Sequence, residues 1–222
     1  MTLDSLNADI YSLLCGYLSK RDFQAFLHVN KQVHNEYIVY RYISLNKQHS
    51  LLYYEHVTFR QRVQSLMINP NKQLTLHIPN CSEITDVTVL GNARTLDLSH
   101  CFNVTNVSAL GGVHTLNLFC CDNMTDVSAL GGVHTLNLSC CSITDVSALG
   151  GAHTLDLSGC TDITDVSALG GVHTLNLSCC DNITDVSALS GVHTLNLSGC
   201  SRITDVSALG GVHTLLRYSM NM

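Results

Sequence analysis

The 222-residue sequence has no tryptophan, only 6% aromatic residues and only 13% charged residues. Cationic side chains are scarcest beyond residue 72. Residues 73–222 hold 3 Lys+Arg against 12 Asp+Glu, a net of −9, while residues 1–72 hold 8 against 5, a net of +3. An acidic stretch with so few cations repels phosphate backbones, which argues against nucleic-acid binding. Long apolar runs are also missing, so nothing in the sequence is expected to cross a bilayer. The N-terminus MTLDSLNADIYSLLCGYL carries acids instead of an early basic stretch, and its apolar part is broken by polar residues. It reads as neither a secretory signal nor a basic transit peptide. The expected location is therefore the cytoplasm or nucleus.

Repetition is what the sequence has in abundance. From about Leu74 onward one unit recurs, written from Val113 as VHTLNLFCCDNMTDVSALGG. Its histidine returns at His114, His134, His153, His173, His193 and His213, spaced 20, 19, 20, 20 and 20 residues apart, with Arg94 and Leu74 in that slot of two degenerate upstream copies. A period near 20 residues means a solenoid, because one unit cannot bury its apolar face without neighbours. In the Val113 unit the apolar positions are Val113, Leu116, Leu118, Cys121, Met124, Val127 and Leu130. The alternation TLNLF is strand-like, with Leu116 and Leu118 inward and Thr115, Asn117 and Phe119 outward. Coils that all run one way pair their strands in parallel. The limb T-D-V-S-A-L-G-G is too short for a full helix; its Asp is expected to cap one turn of 3₁₀ or α type, and its Gly pair to let the backbone swing into the next strand.

The pattern L-x-L-x-x-C resembles the leucine-rich repeat signature. The I-T-D-V-S-A-L limb resembles internalin-type repeats, and the Cys slot resembles the cysteine-containing class found in F-box proteins. That resemblance covers residues 74–215 and implies an α/β solenoid of about eight short coils over 74–222, the last one partial, with the parallel sheet on its concave face. Seven of the 11 cysteines occupy one slot: Cys81, Cys101, Cys121, Cys141, Cys160, Cys180 and Cys200. They are expected to be reduced, buried and structural, since a small apolar weak donor suits the turn that follows the strand. Three more, Cys120, Cys140 and Cys179, precede that slot. Cys120 and Cys140 fall on neighbouring coils, and oxidation would link them if the geometry permits.

Outward positions form ladders. One runs through the threonines from Thr75 to Thr214, including Thr115. The next is His77, Asp97, Asn117, Asn137, Asp156, Asn176 and Asn196; a third is Pro79, Ser99, Phe119, Ser139, Ser158, Ser178 and Ser198. These are expected to line the concave face and meet an unknown protein substrate, with Asp97, Thr115, Asn117, Phe119, Asn137, Asp156, Asn176 and Asn196 as candidate contacts and Phe119 as the one sizeable apolar anchor. On such an open face Asn176→Ala is expected to matter little. The histidine ladder invites a pH-sensing or metal-binding reading, against which stands simple copying of an exposed residue with its repeat. The aspartate ladder (Asp86, Asp126, Asp145, Asp165, Asp185, Asp205) invites a calcium reading, but turn capping explains it better, since Asn106 serves in the same slot without charge. No Ser-His-Asp or Cys-His constellation survives once the periodicity is removed. No catalytic residue, metal ligand or cofactor is assigned, and the chain reads as a non-enzyme.

Residues 1–45 do not repeat and show helical spacing. Leu6, Ile10, Leu13, Leu14 and Leu18 share one face; Phe23, Phe26, Leu27 and Val29 mark a second helix, and Val33, Tyr37 and Ile38 a third. The stretch LNADIYSLLCGYL followed by SKRDFQAFLHVNKQV resembles an F-box, with Asn7 at the usual Pro, Asn30 at the usual Cys and Val33-His34 where Trp is common. The resemblance implies docking onto the Skp adaptor of a cullin–RING ubiquitin ligase, with Leu6, Ile10, Leu14, Leu18 and Phe23 at the contact or in its supporting core. The alternative is a plain interaction scaffold whose N-terminal helices only cap the solenoid. Residues 46–73 read as a linker and N-terminal cap, with a helix or two around LLYY and RQRVQSL and a degenerate entry strand at VQSLMI. Uniform arrays of this kind resemble those encoded by large DNA viruses of amoebae, which would place the adaptor in the host cell.

Overall fold

The computed structural model describes residues 42–67 and 73–218. The F-box-like segment, with Leu6, Ile10, Leu14, Leu18 and Phe23, lies outside the described residues. The chain divides into two compact units. Among the described residues the first holds 42–67, 73–78 and 93–95, and the second holds 79–92 and 96–218.

The first unit contains β1 (Tyr42–Leu45), α1 (Lys47–Glu55), α2 (Val57–Leu66) and β2 (Gln73–His77). The entry strand is thus β1 and not VQSLMI, whose VQSL belongs to α2. The run YISL, rich in aromatic and β-branched character, suits a pleated strand. It pairs in parallel with β2, Ile43 opposite Leu74 and Leu45 opposite Leu76. Helix α1 starts at Asn46, whose extended backbone and side-chain oxygen cap the His49 N–H at 3.0 Å. Inside it, the buried Ser50 hydroxyl donates to the Leu45 carbonyl at 3.0 Å and accepts the His77 N–H at 2.9 Å. One hydroxyl therefore ties the helix to the ends of both strands. Arg60 of α2 donates to the Tyr53 and Tyr54 carbonyls at 2.9 and 2.8 Å, satisfying acceptors that the last turn of α1 leaves without helical partners.

In the second unit the strands are β3 (Thr95–Asp97, from Leu96 on), β4 (Thr115–Asn117), β5 (Thr135–Asn137), β6 (Thr154–Asp156), β7 (Thr174–Asn176), β8 (Thr194–Asn196) and β9 (Thr214–Leu216). They follow one another in sequence order. From β4 to β9 every pairing is parallel, and threonine faces threonine throughout. A turn of 3₁₀ helix returns each coil, as at Ser128–Gly132 and Ser167–Gly171. The seven apolar positions expected inside the Val113 coil are all 2% exposed or less. The 19-residue copy loses its residue from the exposed bend between Cys141 and Ile143. Its neighbours keep a turn bond there (Ile163 N–H to Cys160 C=O, 3.4 Å). Cys141 and Ile143 stay buried and the Thr135↔Thr154 register is unaffected, so the deletion is absorbed before it reaches the sheet.

The glycine pairs serve a different purpose from the one expected. Gly111 sits in ordinary right-handed helical backbone (φ −61°, ψ −18°), so it needs no glycine-only conformation. What excludes a side chain is the neighbouring coil: a Cβ at Gly111 would lie 2.4 Å from the Ala129 carbonyl oxygen, and one at Gly150 would lie 2.1 Å from that of Ala168. The coils approach backbone to backbone along this limb, and glycine fills this slot in every copy but the one that carries Ser190.

Three substitutions test this packing by denaturant unfolding. Leu157, fully buried, should cost about 2–5 kcal/mol when cut to alanine. Gly150→Ala should destabilise by roughly 1–3 kcal/mol through overpacking, whereas Gly210→Ala, with no atom within 4 Å of the new methyl, should be near neutral.

Candidate recognition face

Each outward ladder residue sits where a strand ends, and most also hold that end in place. Asp97 Oδ1 accepts the Ser99 N–H at 3.0 Å, Asn117 that of Phe119 at 3.1 Å, Asn137 that of Ser139 at 2.9 Å and Asp156 that of Ser158 at 2.9 Å. Asn176 and Asn196 repeat the bond to Ser178 and Ser198 at 3.1 and 3.0 Å. These side chains also reach along the sheet: Asn117 Nδ2 donates to Asp97 Oδ1 at 3.0 Å and Asn176 Nδ2 to Asp156 Oδ2 at 3.2 Å. Asx residues favour such short loops back to their own backbone. The face carrying Thr115, Asn117, Asn137, Asp156, Asn176 and Asn196 is consequently half-buried, pre-ordered and polar. Asn176 is not a free surface residue, so the expectation that its removal matters little gives way.

Immediately after this ladder the backbone enters the left-handed region in copy after copy. Asn80 (φ 56°), His100 (58°), Cys120 (53°), Cys140 (56°), Gly159 (72°), Cys179 (58°) and Gly199 (79°) all occupy the same slot. Two glycines and an asparagine in that slot were the available sequence signal, since these residues tolerate positive φ best. The chain then turns inward at the buried cysteine. Cys121, Cys141, Cys160, Cys180 and Cys200 donate their thiols to the carbonyls of Leu98, Leu118, Leu138, Leu157 and Leu177 on the preceding coil, at 3.3, 3.2, 3.1, 3.1 and 2.9 Å. The carbonyls of Leu98, Leu118, Leu157 and Leu177 also accept the N–H of the cysteine three residues on, at 3.0–3.2 Å, so there the thiol adds a second bond, one that crosses between coils. Burial pushes Cys121, Cys141 and Cys180 up to about 12 and Cys160 to about 11, so they are protonated and poor nucleophiles.

The aspartate ladder caps the 3₁₀ turns. Asp126, Asp145 and Asp165 accept the N–H two residues on at 2.9, 2.9 and 2.8 Å, and Asn106 does the same for Ser108 at 2.9 Å. These bonds favour the charged form and hold the carboxyls below their usual range. The histidines form one continuous stack. Successive ring centroids from His114 to His213 are 4.5, 4.7, 4.6, 4.6 and 4.7 Å apart, and interplanar angles stay between 7° and 11° except for 29° at the last step (9° at the first). From His114 to His193 each Nδ1 rests 3.2–3.3 Å from the hydroxyl of the following threonine. Desolvation and then the neighbouring rings lower the affinity of His173 for a proton. Among the described residues no group of three His, Cys, Asp or Glu side chains converges as a metal site.

The face departs from monotony at one place. Phe119 stands in a slot that is serine in the copies on either side. His100 stands 4.8 Å from it, edge-on, and 5.9 Å from Phe102, which is 45% exposed. Phe102 fills a position otherwise held by Ser82, Asp122, Ser142, Thr161, Asp181 and Ser201. Its departure from that polar series was visible in the sequence, but its convergence with Phe119 through His100 needed the coil geometry.

Residues 133–149 and 172–190 match a leucine-rich repeat family. Those two stretches carry the leucine-rich repeat pattern. Among solved structures, internalin C2 from Listeria monocytogenes is 26% identical, with a TM-score of 0.52 over 66% of this chain and 71% of that one. Another internalin of the same organism, inlF, is 20% identical, with a TM-score of 0.53 over 72% of this chain and 49% of that one, a likeness of fold alone. No curated protein matches the sequence. The leucine-rich repeat solenoid thus rests on both residue pattern and similar structures. No helix among the described residues is long and apolar enough to cross a membrane.

Two consequences of this arrangement are measurable. Asn176→Ala should destabilise the fold by about 1 kcal/mol, since both its bonds are lost. The buried cysteines are raised from 9.0 to about 12, so their contribution to stability is complete below pH 9 and disappears as the pH climbs toward 12. Thermal melting should fall steeply across that window, and replacing Cys121, Cys141 and Cys180 together by serine should flatten the fall.

Proposed function

We propose that this chain is a non-enzymatic recognition protein that binds a protein ligand on the sheet face of its leucine-rich repeats, centred on His100, Phe102 and Phe119. The single observation that carries this reading is the convergence of these three rings on a surface otherwise built from threonine, asparagine and serine. Aromatic side chains supply large contact area at low entropic cost, and a polar surround that is already ordered limits what binding must freeze. The two internalins of similar fold support the choice of a recognition role over a catalytic one. Asp97, Asn117, Asn137, Asp156, Asn176 and Asn196 then act as the polar rim, their backbone bonds fixing where each side chain points.

The F-box-like segment extends the proposal. In this reading Leu6, Ile10, Leu14, Leu18 and Phe23 dock the Skp adaptor of a cullin–RING ligase, and the solenoid presents its ligand for ubiquitination. Such an adaptor works in the cytoplasm or nucleus, in a host cell if the chain is viral. What favours this over a helical cap alone is the order of the parts, an F-box-like stretch that precedes leucine-rich repeats.

Full-length chain, its Leu14→Asp variant and its Phe119→Ser variant serve as baits in eukaryotic lysate. Serine is native to the Phe119 slot in the flanking copies, so the second variant keeps the fold. Leu14→Asp should lose the Skp adaptor and cullin and keep the substrate. Phe119→Ser should keep the adaptor and weaken the substrate at least tenfold, a loss of about 1.4 kcal/mol. Absence of Skp from the wild-type capture overturns the ligase role. Equal substrate capture by wild type and Phe119→Ser overturns the assignment of the face.

A further inference from the structure

The left-handed slot at the end of each strand holds thiols on two adjacent coils, Cys120 and Cys140. The strands leading into them pair Thr115 with Thr135, Leu116 with Leu136 and Asn117 with Asn137, so the two cysteines are equivalent positions one coil apart. Their backbones continue the ladder: Cys120 N–H donates to the Ser139 carbonyl at 3.0 Å and Cys140 N–H to that of Ser158 at 2.8 Å. Neighbouring parallel strands lie roughly 4.8 Å apart, inside the Cα separation of about 4.4–6.8 Å that disulfides span. Burial, and after it the neighbouring Cys140, pushes the Cys120 thiol up.

The direction of the sulfurs can be read from the same slot elsewhere. Where the next coil carries glycine, the sulfur leans toward it: Cys140 Sγ lies 3.1 Å from the Cβ position of Gly159, and Cys179 Sγ lies 3.0 Å from that of Gly199. A disulfide itself sets each sulfur roughly 3 Å from its partner's Cβ, given an S–S length of about 2.05 Å. The slot therefore aims a thiol at the next coil's Cβ at bonding separation, and only at the Cys120–Cys140 step does that Cβ carry sulfur. Cys179 has glycine on both sides. The adjoining Cys121 and Cys141 are buried and committed to leucine carbonyls. Cys140 is exposed and Cys120 half-buried.

We infer that Cys120 and Cys140 form a reversible cross-coil disulfide, made by thiol–disulfide exchange with a small glutathione-type disulfide. The thiolate of the exposed Cys140 attacks one sulfur of the small disulfide; its S–S bond breaks and one small thiolate leaves. The Cys120 thiolate then attacks the Cys140 sulfur of the mixed disulfide and expels the second small thiolate. The two protons released by the protein thiols are taken up by the two departing thiolates. The protein pair is oxidised by two electrons and the small disulfide is reduced to two thiols. This staple joins the Phe119 coil to the next one directly beside the aromatic cluster. It stands or falls independently of which ligand that cluster binds.

The test uses the folded full-length chain in buffers of graded reduced and oxidised glutathione, with free thiols alkylated and the protein digested under non-reducing conditions. Cleavage at Asp122 and Asp126 separates the two cysteines. The oxidised protein should lose two hydrogen masses as a monomer and yield a linked pair of peptides, one holding Cys120 and the other Cys140. Cys140→Gly, which places in the slot the residue native to Gly159 and Gly199, should abolish the linkage, and Cys179→Ser should leave it intact. Separate glutathione adducts or alkylated thiols at Cys120 and Cys140 under all conditions overturn the inference. So does a linkage that survives in Cys140→Gly.

Discussion

Everything in the second unit depends on one spacing, the roughly 4.8 Å between neighbouring parallel strands. With units this alike, the nearest neighbour of most side chains is a copy of the same side chain one coil away. A residue type is therefore acceptable only if it packs against itself. Leucine, valine and isoleucine do so inside. Imidazole does so outside by stacking, at 4.5–4.7 Å. Glycine does so where the limbs meet, because carbonyl oxygens of the next coil occupy the place of a Cβ. Cysteine does so at the turn: its thiol reaches back to a leucine carbonyl of the preceding coil and gives it a bond across coils, in most copies beside the turn N–H that it already accepts.

Self-packing also sets the electrostatics. Asp126, Asp145 and Asp165 follow one another along the solenoid and repel, yet each is bound to an N–H and a hydroxyl of its own turn, and those local bonds outweigh the repulsion in the direction of its shift. For His173 the charged form is disfavoured by desolvation and by both neighbouring rings. A group whose folded pKa is depressed in this way supports the fold above its ordinary value of 6.5 and withdraws that support as the pH falls. His173 is thus a liability in acid, set against stability that the cysteines withdraw in alkali.

Most of this architecture was legible in the sequence because the period and the alternation of leucines are physical statements about burial. The inward positions of the Val113 coil, the turn-making cysteine and the capping aspartate could each be assigned from residue type and spacing. What the sequence concealed were properties that arise only between coils. Gly111 looked like a hinge and is a contact point. Asn176 looked like an open surface residue and secures Ser178 and Asp156. The left-handed backbone at Cys120 and Cys140 was hidden because cysteine is not a residue that announces positive φ. At Tyr42–Leu45 helical spacing in the surrounding segment masked a strand that pairs with β2. For the face as a recognition site, the sequence supplied Phe119, and the structure added His100 and Phe102 by bringing three separate slots together.

Uniformity gives the fold its register, and departures from uniformity give it somewhere to bind. The departures gather where β3 and β4 end, which makes that region the centre of the account. Hydrogen exchange on the full-length chain, alone and saturated with the substrate it captures, tests this most directly. The account predicts new protection in peptides spanning the strand ends at Asp97, Asn117 and Asn137, with the largest change around Phe102 and Phe119. Protection confined to the opposite limb, at the 3₁₀ turns Ser128–Gly132 and Ser147–Gly151, would contradict it.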